Sequence, residues 1–191
     1  MEVVVKSLIG IFTIIEGKIN LLMDGNNLFT IKCNDVVEFE NELFINNNLN
    51  IDGLDLKQCY TFSERENDKL VVSILYSDII NYECIKTNNF VLMPIENVNR
   101  DIYVDKLIEC LRKDLVLNST IKKLYPGEFI LPEIQKIYEN LLEKKYDRRN
   151  FRKRLIKLDV IEDLEKMSEN KIGRPAKLYR FKDITEDKIL F

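Results

Sequence analysis

The first 100 residues are dominated by short apolar runs, rich in β-branched side chains, that are separated by turn residues. Val3–Ile15 is followed by Gly17 and a second apolar run, which predicts paired strands. Further strands are expected at Ile19–Met23, Leu28–Cys33, Lys57–Phe62, Leu70–Tyr76 and Phe90–Met93. A short helix is expected at Phe39–Phe44, ended by the asparagines after it, and a polar loop at Ser63–Lys69. This mixture predicts an α+β fold for the front domain.

After residue 100 the apolar pattern changes to helical spacing. Asp101–Leu117 carries apolar or aromatic residues every four positions, which predicts a helix capped by Asp101. Pro132–Leu142 has the spacing of a packed helix, and Pro132 suits its first turn. These patterns divide the chain into a sheet domain at residues 1–100, a linker helix at 101–118 and a second domain at 119–191.

A strongly basic helix is predicted at Tyr146–Lys157. Asp147 is a suitable N-cap, and Tyr146 and Phe151 flank it at the positions of a hydrophobic staple. At about 100° per residue, Phe151, Leu155 and Leu158 form a narrow apolar stripe. Ile156 is also apolar, but the pattern does not assign it to either face of the helix. The other residues on the helix surface are cationic or carry an amide: Arg148, Arg149, Asn150, Arg152, Lys153, Arg154 and Lys157.

The short connection between the two helices, Glu143–Tyr146, is typical of a helix-turn-helix unit that places its second helix in a DNA major groove. We expect Arg149, Asn150 and Lys153 to approach base edges, and Arg148, Arg152 and Lys157 to meet phosphates. Gly173–Phe181 predicts a β-hairpin wing that presents Arg174 and Lys177. Arg174 stands between glycine and proline, and this suits close approach to a narrow minor groove.

The distribution of charge supports this interpretation. The net charge is only −3, yet residues 1–119 contain 11 Lys/Arg and 19 Asp/Glu, whereas residues 144–182 contain 14 and 6. The cations are therefore concentrated on the predicted DNA-binding unit, and the acidic front domain is not expected to touch nucleic acid. With 46% hydrophobic and 32% charged residues, the chain has the composition of a soluble globular protein.

Several site chemistries are disfavoured by composition. The chain has no histidine and no Cys-x-x-Cys pair, so a zinc site and histidine-dependent nucleophiles are not expected. Isolated cysteines indicate a reducing cytoplasm; they are Cys33, Cys59, Cys84 and Cys110. Leu8–Ile15 is too short to cross a bilayer and lacks the flanks of a signal peptide. Candidate ligand-binding aromatics are Tyr60, Phe62 and Tyr76, although strand aromatics more commonly belong to a core.

Four segments between Leu111 and Phe181 follow the order of a known domain: Leu111–Lys113, Phe129–Glu139, Asp147–Leu155 and Gly173–Phe181. In these segments the chain resembles the winged-helix domain of the NrtR-type, Nudix-related transcriptional regulators. Gln58–Phe62 and Val71–Tyr76 look like two strands of the family's Nudix-like domain. The resemblance implies a repressor that binds a near-palindromic operator on double-stranded DNA as a homodimer. It also implies release of the DNA when the Nudix-like domain binds an effector, which is ADP-ribose in the best-known members and a sugar metabolite in others.

The chain departs from the family's hydrolase motif. Active Nudix enzymes cluster glutamates on one helix face, because these carboxylates hold the magnesium ions that polarise a pyrophosphate. In the corresponding stretch, Thr30–Leu49, Glu42 is kept, but Asn41 replaces the arginine, Ile45 and Asn46 replace the glutamate pair, and Asn48 replaces the glycine. We therefore expect no catalysis, no metal and no cofactor. The remaining carboxylates are interpreted as solvated side chains: Asp35, Glu38, Glu40 and Glu42.

Two other functions stay open. One is a nucleoside-diphosphate or nucleotide-sugar hydrolase whose basic domain gathers anionic substrate; the missing glycines and glutamates disfavour it. The other is a winged helix that binds protein. Retention of the chain on nucleic-acid columns that falls steeply with salt concentration would disfavour this function.

Overall fold

The computed structural model describes residues 2–34, 36–86, 89–168, 175–183 and 186–191. Its contacts divide the chain into two compact units, one of residues 1–15 and 20–111 and the other of residues 16–19 and 112–191. Each unit has its own sheet and its own apolar core. None of the helices in the described ranges has the length and apolar character needed to cross a membrane.

The first unit is built on a mixed sheet. Within the described residues it has six strands, with β4–β5–β1–β2–β6 as neighbours and β3 also paired with β1. The strands are β1 (Val3–Ile15), β2 (Lys18–Met23), β3 (Phe29–Cys33), β4 (Lys57–Glu66), β5 (Lys69–Ile80) and β6 (Val91–Pro94). β1 runs parallel to β5 and antiparallel to β3, and its central residues Ile9, Ile11 and Phe12 are fully buried. The core of the unit is therefore organised around β1.

Two α-helices belong to this part of the chain, α1 (Val37–Asn48) and α2 (Ile102–Leu115), with a short 3-10 turn at Tyr82–Cys84. α1 continues through the asparagines that were expected to end it. Asn48 Nδ2 donates to the carbonyl of Phe44 at 2.8 Å and so satisfies a carbonyl of the last turn. The N-cap expected at Asp101 is confirmed, because its Oδ1 accepts from two amides of the first turn at 2.9 and 2.8 Å.

The polar loop expected at Ser63–Lys69 is wrong. β4 continues to Glu66 and pairs it with Lys69, the first residue of β5. The turn is formed by Asn67 and Asp68, whose φ angles are 47° and 61°. Asparagine and aspartate tolerate this left-handed conformation, and two such residues in succession form a tight hairpin turn.

In its described residues the second unit combines three helices with a small antiparallel sheet of strand order β7–β9–β8. The helices are α3 (Asn118–Leu124), α4 (Leu131–Leu141) and α5 (Arg148–Lys157), and the strands are β7 (Phe129–Ile130), β8 (Ile161–Met167) and β9 (Lys177–Phe181). The sequence pattern predicts neither α3 nor β7, because each is too short to show a period. β8 and β9 form the predicted wing, while Gly173 and Arg174 at its tip lie outside the described residues.

Tyr138 of α4 organises the core of the second unit. Its ring centroid lies 6.1 Å from that of Phe151 and 4.6 Å from that of Phe191. Its hydroxyl donates to the carbonyl of Leu115 at 2.7 Å, and burial raises the pKa of this hydroxyl far above its ordinary value. These contacts of Tyr138 pack α4 against α5.

Candidate nucleic-acid interface and ligand cavity

The orientation of α5 is fixed by two buried side chains. Phe151 and Leu155 are 2% and 0% exposed, which confirms the predicted apolar stripe at these positions. Asp147 caps the helix by accepting from its third amide at 2.9 Å. Tyr146 packs its ring 5.8 Å from Phe151, as expected for a hydrophobic staple. The other side of α5 must therefore face outward.

The outward side of α5 is cationic. Four exposed cations have no carboxylate partner within the described residues, and these are Arg148, Arg149, Lys153 and Lys157. Asn150 is also exposed, and Ile156, which the pattern left unassigned, is 48% exposed. Unpaired cations that project from one side of a helix form a surface suited to a polyanion.

Arg152 and Lys177 are brought together by one carboxylate. Lys177 Nζ lies 2.8 Å from Asp163 Oδ2, and Arg152 Nη2 lies 4.0 Å from the same oxygen. The hydrogen bond from Lys177 lowers the pKa of Asp163, and Asp163 in turn raises the pKa of Lys177. The Arg152 guanidinium also lies 5.9 Å from the ring centroid of Tyr179. These two predicted DNA contacts therefore join α5 to the wing.

Arg154 is engaged inside the unit. Its Nε donates to the carbonyl of Leu190, and its guanidinium lies 5.6 Å from the ring centroid of Phe191. Phe191 stacks on Phe151, with centroids 4.8 Å apart and planes 9° apart. Residues 190 and 191 thus cover one flank of α5, a contact that no periodicity in the sequence predicts.

The turn between α4 and α5 is held by a hydrogen-bond network that the sequence analysis missed. Glu139 Oε1 accepts from the Tyr146 amide at 2.8 Å and from Gln135 Nε2 at 2.9 Å. Gln135 Nε2 also donates to the Tyr146 carbonyl at 2.8 Å, and Lys145 Nζ lies 3.4 Å from Glu139 Oε2. Gln135 and Glu139 are one helical turn apart on α4, and this spacing is the sequence signal that could have identified them.

The other predicted polar residues are distributed as follows. Arg174, Asp35 and the side chain of Glu38 lie outside the described residues. Glu40 and Glu42 lie on α1. No group of three metal-binding side chains occurs within the parts of the chain that the structure describes.

A cavity of about 470 Å³ lies beside α1 in the first unit. Its apolar wall contains Ile45, Ile51, Leu54, Leu56 and Tyr76. Its polar and charged lining residues are Asn41, Glu42 and Asp55. This volume is within the range of small-molecule sites.

The three aromatic residues predicted as ligand contacts lie on two faces of the sheet. Tyr60 pairs with Leu75 across β4 and β5, so the adjacent Tyr76 points to the opposite face. Tyr60 and Phe62 have ring centroids 4.7 Å apart, and Phe62 lies 5.3 Å from Tyr103 of α2. Tyr76 lines the cavity, so the three side chains do not form one pocket.

The second unit matches a known domain in sequence. The profile of the NrtR DNA-binding winged helix domain matches residues 121–181. The "ADPR responsive transcriptional repressor NtrR" of Acinetobacter baylyi (strain ATCC 33305 / BD413 / ADP1) is 42% identical over 60 residues, which are 30% of this chain. The matched segment spans 23% of the length of that curated relative.

Solved structures are similar over both units. Shewanella oneidensis NrtR, crystallised with a 27mer DNA, has a TM-score of 0.69 at 19% identity, covering 93% of each chain. A MutT/nudix family protein from Enterococcus faecalis has a TM-score of 0.63 at 13% identity, covering 95% of this chain and 87% of its own. At these identities the likeness concerns the fold. It confirms the predicted α+β class, with a Nudix-like sheet domain followed by a winged helix-turn-helix domain.

Glu139 should make the stability of the second unit depend on pH. Hydrogen bonds from the Gln135 side chain and the Tyr146 amide lower its pKa below the ordinary value of 4.5. The charged network therefore stabilises the folded state fully above the unfolded pKa, and this contribution is lost as the pH falls through the lower folded pKa. We expect the free energies of unfolding of wild type and Glu139→Gln to differ most near neutral pH and to converge in acid. Glu186→Gln, a change at an exposed carboxylate outside the network, is the control, and identical pH profiles for all three proteins would contradict the assignment.

Proposed function

We propose that this chain, an NrtR-type, Nudix-related protein by its winged-helix domain, is a DNA-binding transcriptional repressor with a ligand-sensing first domain. The observation that carries the proposal is the exposed side of α5, where Arg148, Arg149, Lys153 and Lys157 have no carboxylate partner within the described residues. A major groove offers phosphates at its edges and hydrogen-bonding base edges between them. The curated relative is named a transcriptional repressor, and S. oneidensis NrtR was crystallised with DNA.

We assign different roles to the cations of the unit. Base contacts go to Arg149, Asn150 and Lys153, because a recognition helix presents its N-terminal residues to base edges. Phosphate contacts go to the flanking cations Arg148, Arg152 and Lys157, and wing contacts to Arg174 and Lys177. Phosphates on DNA would compete with Asp163 for Arg152 and Lys177, which hold that carboxylate in the free protein.

The two classes of contact should respond differently to alanine substitution. Arg149→Ala or Asn150→Ala should reduce discrimination at the contacted base by about 1–3 kcal/mol, because base-edge hydrogen bonds are lost. Lys157→Ala should weaken binding to the operator and binding to unrelated DNA to a similar degree. Both affinities are measured at one fixed salt concentration, with an inverted repeat selected by the protein from random DNA. Lys69→Ala, which removes an exposed cation of the first unit, is the matched control, and an unchanged specificity ratio for both Arg149→Ala and Asn150→Ala would refute the assignment of base contacts.

The DNA-bound form is proposed to be a homodimer. One recognition helix reads only a few base pairs, so a specific operator needs two half-sites about one helical turn, or a small multiple of it, apart. Sedimentation of the full chain should therefore give two protomers on a duplex with two half-sites. A single protomer that binds one half-site with undiminished affinity would contradict the dimer.

The first domain is proposed to sense a ligand without hydrolysing it. α1 packs Ile45 against the apolar core and buries Asn41 to 4% exposure. Ile45 and Asn41 stand where the hydrolase motif has a glutamate and an arginine, so α1 keeps Glu42 but lacks the glutamate pair that helps to hold magnesium in pyrophosphate hydrolysis. The curated relative is described as ADPR responsive. ADP-ribose and sugar phosphates are therefore the first effectors to test, and a repressor of this kind acts in the cytoplasm.

The effector should release DNA and remain intact. A coupling of about 1–3 kcal/mol would lower DNA affinity roughly 5- to 150-fold, which is enough for a switch. DNA release is followed by fluorescence anisotropy while ADP-ribose, NAD and sugar phosphates are titrated in the presence of Mg²⁺, and each ligand is then recovered and analysed. Inorganic phosphate is the control for a simple salt effect. Hydrolysis that accompanies release would favour the alternative function, a nucleoside-diphosphate hydrolase.

A further inference from the structure

The segment of residues 186–191 runs along α5 and contacts both ends of the helix. Near the start of α5, the ring of Phe191 stacks on that of Phe151, with centroids 4.8 Å apart. At the far end, Lys188 Nζ donates to the Leu158 carbonyl at 2.7 Å. A carbonyl at the end of a helix lacks an amide partner within the helix, and the helix dipole favours a cation there. The segment therefore restrains α5 at two separated points.

The middle of the same segment joins α5 to the chain that follows α2. The Leu190 amide donates to the Val116 carbonyl at 2.7 Å, and the Leu190 carbonyl accepts from Arg154 Nε of α5. Leu190 is itself fully buried. One residue thus connects α5 to the backbone just beyond α2.

The segment also has an anchor on α3. Asp187 accepts from the amide and the hydroxyl of Ser119, at 3.0 and 2.9 Å, in the first turn of α3. Ile189 forms a β-bridge with Leu117. Because these contacts do not involve α5, the segment is a support against which α5 packs and is not merely carried by the helix.

α5 needs support on this flank, because its own buried contacts are few. Phe151 and Leu155 are the buried side chains of this ten-residue helix. Two side chains one turn apart fix the rotation of a helix, but they leave its tilt to be fixed by other contacts. Hydrogen bonds to base edges depend on distance and angle, whereas attraction between cations and phosphates tolerates displacement. The tilt of α5 therefore matters more for sequence readout than for attraction to DNA.

We propose that the segment of residues 186–191 positions α5 for sequence readout, with Phe191 and Lys188 as its positioning residues. Neither residue reads a base; each acts through α5, Phe191 by packing on its first half and Lys188 by binding its end. Sequence specificity then depends on side chains outside the helix-turn-helix. The inference rests on the proposed function, because it concerns how the same helix reads DNA.

Phe191→Ala tests the position of α5 in the full chain. We expect its affinity for the inverted repeat that the wild type selects to fall roughly 10-fold, because the base contacts lose their geometry. Its affinity for unrelated DNA should stay within about 2-fold of wild type, because every cation of α5 remains. Both affinities are measured at one salt concentration and well below the Tm of the variant. Phe191→Leu, which restores much of the apolar contact, should recover most of the preference for the repeat.

A second aromatic residue of the same unit separates positioning from loss of stability. Phe129 of β7 is 2% exposed and packs its ring 4.6 Å from that of Phe181. Phe129→Leu should therefore lower the Tm, yet leave the ratio of the two DNA affinities unchanged.

Lys188→Met tests the other end of α5 and does not depend on whether Phe191→Ala folds. Loss of the bond to the Leu158 carbonyl should reduce the preference for the repeat by roughly 2- to 10-fold. The matched control is Lys182→Met, which removes an equal charge from a lysine that lies 2.6 Å from Asp159. This control should leave the preference unchanged.

Three results would overturn the inference: a wild-type ratio of affinities in both Phe191→Ala and Lys188→Met, an equal loss of affinity for the repeat and for unrelated DNA in these variants, or an equal loss of preference in Phe129→Leu. Any of them, found with a wild type that prefers the repeat, would reject this inference alone. A wild type that binds neither duplex would reject the repressor function and, with it, this inference.

Discussion

The burial of Phe151 and Leu155 is the constraint on which the candidate DNA interface depends. Because a helix advances about 100° per residue, fixing two side chains one turn apart in the core leaves α5 a single rotational setting. The cap at Asp147 and the hydrogen bond that the Tyr146 amide donates to Glu139 then fix where the helix begins. The cations on the far side of α5 take no part in this arrangement. They are positioned by residues that they do not touch, and their charge stays available to a ligand.

In the first unit, too, a buried core positions a helix, α1. β1 lies between β5 and β2 and also pairs with β3, and it supplies the fully buried Ile9, Ile11 and Phe12 to the core. α1 packs against this core through Ile45 and lines the cavity beside it. In a Nudix hydrolase, the corresponding helix presents carboxylates for magnesium. In this chain α1 brings one carboxylate, Glu42, to the cavity together with Asn41 and the apolar Ile45.

Features that depend on one segment alone could be predicted from the sequence. Features that depend on how two strands pair could not. Asp101 and Asp147 were identifiable because a cap acts within one turn of its own helix. The hairpin turn at Asn67–Asp68 was hidden, because strands exposed on both faces lack the alternation by which strands are recognised. Tyr60 and Tyr76 show equivalent local patterns, yet the register of β4 on β5 puts them on opposite faces. Register belongs to the pair of strands, so neither segment encodes it alone.

Each of the two candidate sites contains polar groups that have no partner among the described residues, but the physical consequences differ. An exposed cation on α5 is solvated by water, so it contributes to DNA affinity mainly through the release of counterions from the DNA. The buried amide of Asn41 has lost its water, and this loss is a penalty that the folded protein carries. An effector changes DNA affinity only as far as its own affinity differs between the DNA-bound and DNA-free states.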